Sequence, residues 1–241
     1  MAFQALVSPS LTDLFVEQVQ GMILSGELKV GEKLPTEREL AATMKVSLAV
    51  VNGGISRLAS RGFVRIVPRK GIYVEDYLRN GNISTLESIL EYSENYFRED
   101  LLSAIMDFRR LFELKFTECA CISRTPINLQ NLERLVESFA KEEDHAKASN
   151  LAFRFHQEVA VASGNMVYPL IVGAFRELYC KSYFRMFTIQ GKKRTAQKLE
   201  QLLEAIRVGD INSAGELTLL AVDNWQKSFH ANYQDGEMFC Q

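Results

Sequence analysis

The stretch from Ser25 to Val74 constrains the fold most, because its helix signals occur in a fixed order. Thr36 and the glutamate three residues later form a capping box that opens a short helix. After a tight turn, Ser47 is a typical N-cap residue for a second helix that continues to about Arg61. The order predicts two short helices joined by a tight turn.

A hairpin pattern follows the second helix directly. Gly62 ends that helix, and two β-rich runs, 63–67 and 72–74, flank a turn at 68–71. Helix, turn, helix and hairpin together predict a winged helix-turn-helix, whose second helix enters the DNA major groove.

The amino-acid sequence of this stretch also resembles that of a known family. The runs GELKVGEKLPTERELA and LASRGFVR and the closing G-x-Y-V look like the winged-helix domain of GntR-family transcription regulators. The similarity covers roughly residues 10–75. It implies a ligand-responsive regulator whose first partner is a double-stranded DNA operator.

The charges are distributed unevenly along a chain of net charge −2. Residues 1–79 carry ten basic and eight acidic side chains, whereas the remainder carries 18 and 22. A basic run without intervening acids lies at the end of the second helix and in the hairpin, and it comprises Arg57, Arg61, Arg65, Arg69 and Lys70. This run is the local footprint of a DNA-facing patch; a solvated surface is the alternative.

The second half of the chain has helical periodicity almost throughout. We predict a winged-helix DNA-binding domain at 1–75, a linker at 76–84, and an effector-binding and dimerisation domain at 85–241. The fold class is therefore mainly α: an N-terminal winged helix-turn-helix followed by an all-α antiparallel bundle of six or seven helices. One of them is predicted to run unbroken from Tyr168 to Phe187.

The order of the parts resembles the FadR subfamily of GntR regulators. The segments FRFHQEVAVASGNMVYPLIVGAFRELY and AIRVGD carry this second resemblance, and ASGN followed by Y-x-L-I looks closer to the branch that responds to fatty acyl groups. The resemblance implies a homodimer, since inverted half-sites require a two-fold arrangement.

The resemblance also identifies candidate DNA contacts, with one departure. Arg38 matches an arginine of the family, but the two arginine positions of the recognition helix hold Leu48 and Asn52. Leucine can touch a thymine methyl and asparagine can pair with adenine, which predicts a more A·T-weighted operator. The full predicted set is Thr36, Arg38, Ser47, Leu48, Ala49, Asn52, Arg57, Arg69, Lys70 and Gly71.

Gly53 and Gly54 are unusual inside a recognition helix, because each costs about 1 kcal/mol relative to Ala. Either the helix is soft until DNA orders it, or close backbone approach is required. A third hypothesis is a regulator with impaired DNA reading that acts through protein contacts.

The family's metal site is predicted to be absent. In many FadR-type domains an Asp and three His bind a divalent ion, and only His156 survives here. The other three positions hold Ala152, Leu199 and Ala221. We therefore predict no metal and no cofactor.

Those substitutions make the interior more apolar, which favours a fatty acyl-CoA or another apolar carboxylate as effector. A small organic acid is the alternative, and a purely structural core is the other interpretation of the aromatic residues. The predicted ligand-binding residues are Arg109, Glu113, His156, Asn165, Tyr168, Arg176, Tyr179 and Tyr183; a buried Arg can hold a carboxylate.

Other functional classes have little support in the sequence. We find no nucleophile–base pair or phosphate-binding loop, so an enzyme is not expected. Cys119, Cys121, Cys180 and Cys240 lack metal-site spacing and predict reduced thiols. With no signal sequence or membrane-spanning run visible, we expect a cytoplasmic protein without a membrane partner.

Overall fold

A computed structural model of the protein describes residues 9–95 and 99–234, and these residues form two compact units that divide after Tyr92. The first unit holds α1 to α4, the hairpin, and α5 as far as Tyr92; the second holds α6 to α12. The elements are α1 (Leu11–Leu24), α2 (Glu37–Met44), α3 (Leu48–Ser60), β1 (Val64–Val67), β2 (Gly71–Val74), α4 (Tyr77–Asn80), α5 (Ile83–Asn95), α6 (Glu99–Ser123), α7 (Pro126–Lys141), α8 (His145–Ala162), α9 (Tyr168–Ala174), α10 (Arg176–Gln190), α11 (Lys193–Val208) and α12 (Ile211–Gln234). The predicted fold class is confirmed: a mainly helical chain with a two-stranded wing.

The helix starts of the first unit follow the capping signals of the sequence. The backbone N–H of Thr36 donates to Glu39 Oε2 at 2.7 Å, while the N–H of Glu39 donates to Thr36 Oγ1 at 3.3 Å. Ser47 Oγ likewise accepts from Val50 N at 3.3 Å. Lys45, in the left-handed region at φ 54°, makes the turn between α2 and α3. Local hydrogen bonds thus fix where each helix begins.

The hairpin is antiparallel and pairs Val64 with Val74 and Val67 with Gly71. Lys33 adds an isolated bridge to Tyr73, so the loop before α2 lies along the outer edge of β2. This bridge has no strand-like signal in the sequence, because a single extended residue leaves no periodicity.

The core of the first unit forms where α1 packs on α3. Phe15, Ile55, Leu58 and Phe63 are fully buried there. A Cβ on Gly54 would lie 2.2 Å from Phe15 Cδ1, so α3 can approach α1 this closely only because Gly54 has no side chain. Of the interpretations offered for the paired glycines, close backbone approach therefore holds at Gly54.

Two hydrogen bonds connect α5 to the rest of the first unit. Thr85 Oγ1 donates to the carbonyl of Arg61 at 2.6 Å, and Gln20 Nε2 donates to the carbonyl of Ser88 at 2.9 Å. Residues 76–84, predicted as a linker, contain α4 and the first residues of α5. The functional division at 76–84 stays a prediction.

The regular elements of the second unit are all helices in its described residues. α12 packs along α6, and α8 contacts α6, α7, α9 and α10. Pro126 occupies the first position of α7, where its missing N–H costs nothing. The single helix predicted from Tyr168 to Phe187 is wrong: α9 and α10 divide at Phe175, which periodicity alone does not reveal. In the described part of the chain, no helix is long and apolar enough to cross a membrane.

Candidate functional site

The start of α3 presents its side chains to solvent. Leu48 is 43% exposed, although it is a large apolar residue, and Asn52 lies one turn further along the helix. The predicted contacts that share this exposure are Thr36, Arg38, Ser47, Leu48, Ala49 and Asn52. The first turn of α3 is thus exposed, and its contact with DNA stays a prediction.

The wing carries the second exposed group. Arg69 adopts a left-handed conformation at φ 64° in the turn between the strands, and Lys70 follows it. Both side chains are exposed, and neither pairs with an acid among the described residues. Gly71, at φ 121°, leaves room for Lys33, whose Cε would lie 2.7 Å from an added Cβ. Two free cations therefore project from the wing.

The basic run of the sequence divides into two parts in the structure. Arg57 pairs with Asp13 at 2.5 Å, and hydrogen bonds from Ser10 and Arg57 lower the pKa of Asp13 to about 2. Arg61 donates to Gln20, and Arg65 lies 3.6 Å from Glu75. Arg57 was predicted to contact DNA, but its charge is paired within the unit because α1 brings Asp13 beside it. Of the run, Arg69 and Lys70 remain unpaired in the described residues.

The second unit encloses a cavity of about 340 Å³ between α6, α8, α10, α11 and α12. Five of the eight predicted ligand residues line it, although they come from three helices that are far apart in the chain. They are Arg109, Glu113, His156, Tyr179 and Tyr183.

A buried ion pair forms one wall of the cavity. Arg109 Nε donates to Glu113 Oε1 at 2.6 Å, one turn apart on α6, and the Tyr179 hydroxyl donates to the same oxygen. Burial alone would lower the pKa of Arg109, but the charge of Glu113, the hydrogen bond to it and the neighbouring Tyr179 and Tyr183 together outweigh burial and raise that pKa. Burial raises the pKa of Tyr179 well above its ordinary value. Arg109 is therefore charged and Tyr179 neutral at any physiological pH.

Arg109 is not fully satisfied by this pairing. Its side chain is 7% exposed, and its guanidinium lies 4.4 Å from the centre of the Tyr179 ring and 5.1 Å from that of Trp225. Its Nη1 atom is buried without a hydrogen-bond partner. An unpaired buried donor is costly, so this atom marks a position where an acceptor is missing.

His156 and Tyr183 meet across the cavity wall, with Nε2 and the hydroxyl 2.8 Å apart. Burial lowers the pKa of His156, and the positive charge of Arg109 adds to that effect. Burial raises the pKa of Tyr183. Both groups are therefore neutral at pH 7 and can donate or accept a single hydrogen bond.

The positions of the family's metal ligands fall at the same cavity. Leu199 and Ala221 line it beside His156, and Ala152 is buried one turn from that histidine on α8. No group of three or more His, Cys, Asp or Glu side chains within 9–95 and 99–234 could hold a metal. The site is therefore apolar where the family places ligands, and the absence of a bound metal stays a prediction.

Three predicted ligand residues lie away from the cavity. Tyr168 packs edge-on against Phe112, Arg176 Nη2 donates to Asn150 Oδ1 at 3.0 Å, and Asn165 is exposed in the turn before α9. The division at Phe175 places Tyr168 on α9, apart from Tyr179 and Tyr183 on α10. Arg176 also belongs to α10, but its side chain pairs with Asn150 outside the cavity.

The sequence prediction also missed part of the lining. Arg194 and Lys198 reach the cavity from α11, and Trp225 reaches it from α12. The i, i+4 spacing of Arg194 and Lys198 can be seen in the sequence, but such a pair of cations on a polar helix usually lies on the protein surface. Cys119, Cys121 and Cys180 carry thiols rather than disulfides, and Cys240 lies outside the described residues.

Comparison with known proteins assigns both units. Residues 13–74 match the model of "Bacterial regulatory proteins, gntR family", and residues 104–224, half of the chain, match the FCD domain. The protein belongs to the GntR family. This GntR-family protein is accordingly a ligand-responsive transcriptional regulator with an FCD effector domain, and not an enzyme.

Relatives and a solved structure agree with this assignment. The HTH-type transcriptional regulator Mce2R of Mycobacterium tuberculosis is 26% identical over 215 residues, which cover 89% of each chain. A fatty acid metabolism regulator protein of Shewanella frigidimarina is 26% identical over 192 residues, 75% of this chain and 76% of that one. The structure of Lar, which controls expression of the Listeria monocytogenes agr system, matches with a TM-score of 0.56 at 17% identity, over 91% of this chain and 96% of its own. That likeness shows the fold.

Proposed function

We propose that this GntR-family regulator binds its operator through α3 and the wing, and that a small organic carboxylate with an apolar body, bound in the cavity of the FCD domain, changes its affinity for DNA. The observation that carries the effector class is the unpartnered Nη1 of Arg109, since a carboxylate oxygen is the acceptor that satisfies a buried guanidinium best. Leu199 and Ala221 supply apolar contact for the body of the ligand.

The size of the cavity favours a small effector. The volume of about 340 Å³ is near the lower end of the range of about 300–1,000 Å³ that is typical of ligand pockets. A compact organic acid therefore suits this space better than a long acyl chain does.

A fatty acyl-CoA is the second candidate. The apolar residues at three former ligand positions favour an acyl chain, and one relative is a fatty acid metabolism regulator protein. In this case the acyl chain of the ligand would lie against the buried guanidinium of Arg109, and an acyl chain has no acceptor for that charge. We therefore rank the small carboxylate first.

For the DNA side, we propose a homodimer in the cytoplasm that reads inverted half-sites. Leu48 and Asn52 on the exposed first turns of α3 support thymine and adenine contacts, and Arg38 supports a guanine contact. The wing cations Arg69 and Lys70 support phosphate contacts, which position the domain without reading sequence.

The first experiment selects an operator from a random-sequence DNA pool at moderate salt with the full-length protein. We expect an enriched inverted repeat with A·T-weighted half-sites; a pool without enrichment would favour a regulator that acts through protein contacts. Light scattering of the protein on that operator then tests for a dimer.

The second experiment tests the effector. Calorimetry and operator binding are measured with a panel of four- to eight-carbon carboxylic acids and, separately, with long-chain acyl-CoAs. We expect heat and a change in operator affinity with the acids. The double variant Arg109→Met/Glu113→Leu removes both charges of the buried pair together, so it should lose the acid response while keeping operator binding.

A further inference from the structure

Two cations on α11 face the same cavity, whose acid Glu113 is already paired with Arg109. Arg194 and Lys198 are spaced i, i+4 and both line the cavity. Lys198 is half-buried, whereas Arg194 is largely exposed. Neither has an ion pair or hydrogen bond through its side chain within the described part of the protein. The two like charges therefore adjoin each other with no acid between them.

The surroundings show that this pair is not an ordinary solvated surface. Burial and the charge of Arg194 both lower the pKa of Lys198, so the ammonium is held in an unfavourable place. Like charges one helical turn apart destabilise a helix. Thr195, which lies between them on α11, is buried, and Asn224 on α12 adds a polar side chain to the cavity. The two cations can therefore bind an anionic group.

Arg109 provides the other cationic point of the same cavity. It lies on α6 rather than α11, and its Nη1 atom is buried without a hydrogen-bond partner. A ligand with one acidic group can satisfy Arg109 or the α11 pair. A ligand with an acidic group at each end can satisfy both, with its carbon body against Leu199, Leu202 and Leu217.

We propose that the effector is a small dicarboxylate, with one carboxylate on Arg109 and the other between Arg194 and Lys198. This inference rests on the proposed function, because it assigns the second end of the ligand in the same effector cavity. The α11 pair provides selectivity: it distinguishes a diacid from a monoacid of equal length.

The test uses calorimetry with full-length protein and a series of four- to eight-carbon α,ω-dicarboxylates, each compared with its monomethyl ester. The ester keeps the length and one carboxylate but removes the second charge. We expect at least one diacid to bind about tenfold or more tightly than its ester, a preference that decreases as salt rises. The double variant Arg194→Ala/Lys198→Ala should bring that ratio to about one.

Lys193→Ala is the matched control, since Lys193 begins α11 but does not line the cavity, and it should keep the full preference. Esters that bind as tightly as diacids, or a preference that survives in the Arg194→Ala/Lys198→Ala variant, would overturn the second site and leave the carboxylate effector intact. If neither diacids nor esters bind, both the second site and the proposed effector class fail.

Discussion

An added Cβ at Gly54 would lie 2.2 Å from Cδ1 of Phe15 and 2.7 Å from its Cε1. Both residues are buried, so the ring of α1 rests directly on the backbone of the recognition helix. The orientation of α3 relative to α1 therefore depends on one missing methyl group. Since α3 is the candidate reading helix, this contact links packing in the core to the presentation of Leu48 and Asn52.

The two neighbouring glycines provide a matched pair of substitutions. Gly54→Ala should destabilise the protein by about 1–3 kcal/mol, because the ring of Phe15 must move to admit the methyl group. Gly53→Ala should be neutral or stabilising by up to about 1 kcal/mol, since its Cβ would make ordinary contact at 3.6 Å with Thr12. Chemical unfolding of both variants measures the difference, and equal stabilities would contradict the packing argument.

Arg38 and Arg57 differ in whether their charge is paired within the protein, so substituting each one tests which arginine contacts DNA. Arg38→Ala should reduce specific operator affinity by about 1–3 kcal/mol, because this exposed side chain is the predicted guanine contact. Arg57→Ala should change operator affinity less than Arg38→Ala does, since its charge is committed to Asp13. Fluorescence anisotropy on the selected operator compares them. A larger loss for Arg57→Ala would assign the DNA contact to the end of α3 instead.

Removing one partner of the buried pair on α6 should destabilise the protein more than removing both partners together. Glu113→Ala leaves the guanidinium of Arg109 without a counter-ion and should cost about 3–5 kcal/mol of unfolding free energy. The Arg109→Met/Glu113→Leu variant should cost clearly less, because it leaves no uncompensated charge. Urea denaturation of the three proteins checks this order. Equal losses for the single and double variants would mean that the ion pair is not the controlling interaction.

His156 should make stability depend on pH on the acidic side. Its folded pKa is lowered, so between the ordinary value of 6.5 and the folded value the unfolded chain binds a proton that the folded chain does not. The contribution is absent above pH 6.5 and destabilises increasingly as pH falls below it, by at most about 1.4 kcal/mol per pH unit. His156→Gln should show a shallower decline between pH 6.5 and 5 in thermal melts. Parallel curves would contradict a buried neutral imidazole.

Removal of metal tests the remaining prediction about the cavity. Because Ala152, Leu199 and Ala221 replace three ligands of the family's site, a chelator should leave the melting temperature and operator binding unchanged. Elemental analysis of the purified protein provides the independent measurement. A stoichiometric divalent ion, or a melting temperature that falls on chelation, would refute the prediction.

The first unit was largely predictable because its signals are local. Capping at Thr36 and Ser47 depends on side chains within three residues of the helix start, so the start of each helix can be predicted from the sequence. The bridge of Lys33 to Tyr73 was not predictable, since it joins distant residues without periodicity. The pairing of Arg57 with Asp13 was missed for the same reason.

The lining of the cavity was likewise predictable within one helix and not between helices. Arg109 with Glu113, and Tyr179 with Tyr183, are each one helical turn apart, so the sequence could group them. It could not exclude Tyr168, because the division at Phe175 reorients the chain, and it did not include Arg194 or Lys198 on another helix.

The sequence by itself determined the order of the helices, the wing, the family and the loss of the family's metal ligands, because each follows from residue type and short spacing along the chain. Only the tertiary structure decided which charges are paired, why Gly54 must lack a side chain, and which five helices enclose one cavity around an unsatisfied guanidinium. Those properties depend on distances between residues far apart in the chain, and such distances exist only once the helices have packed.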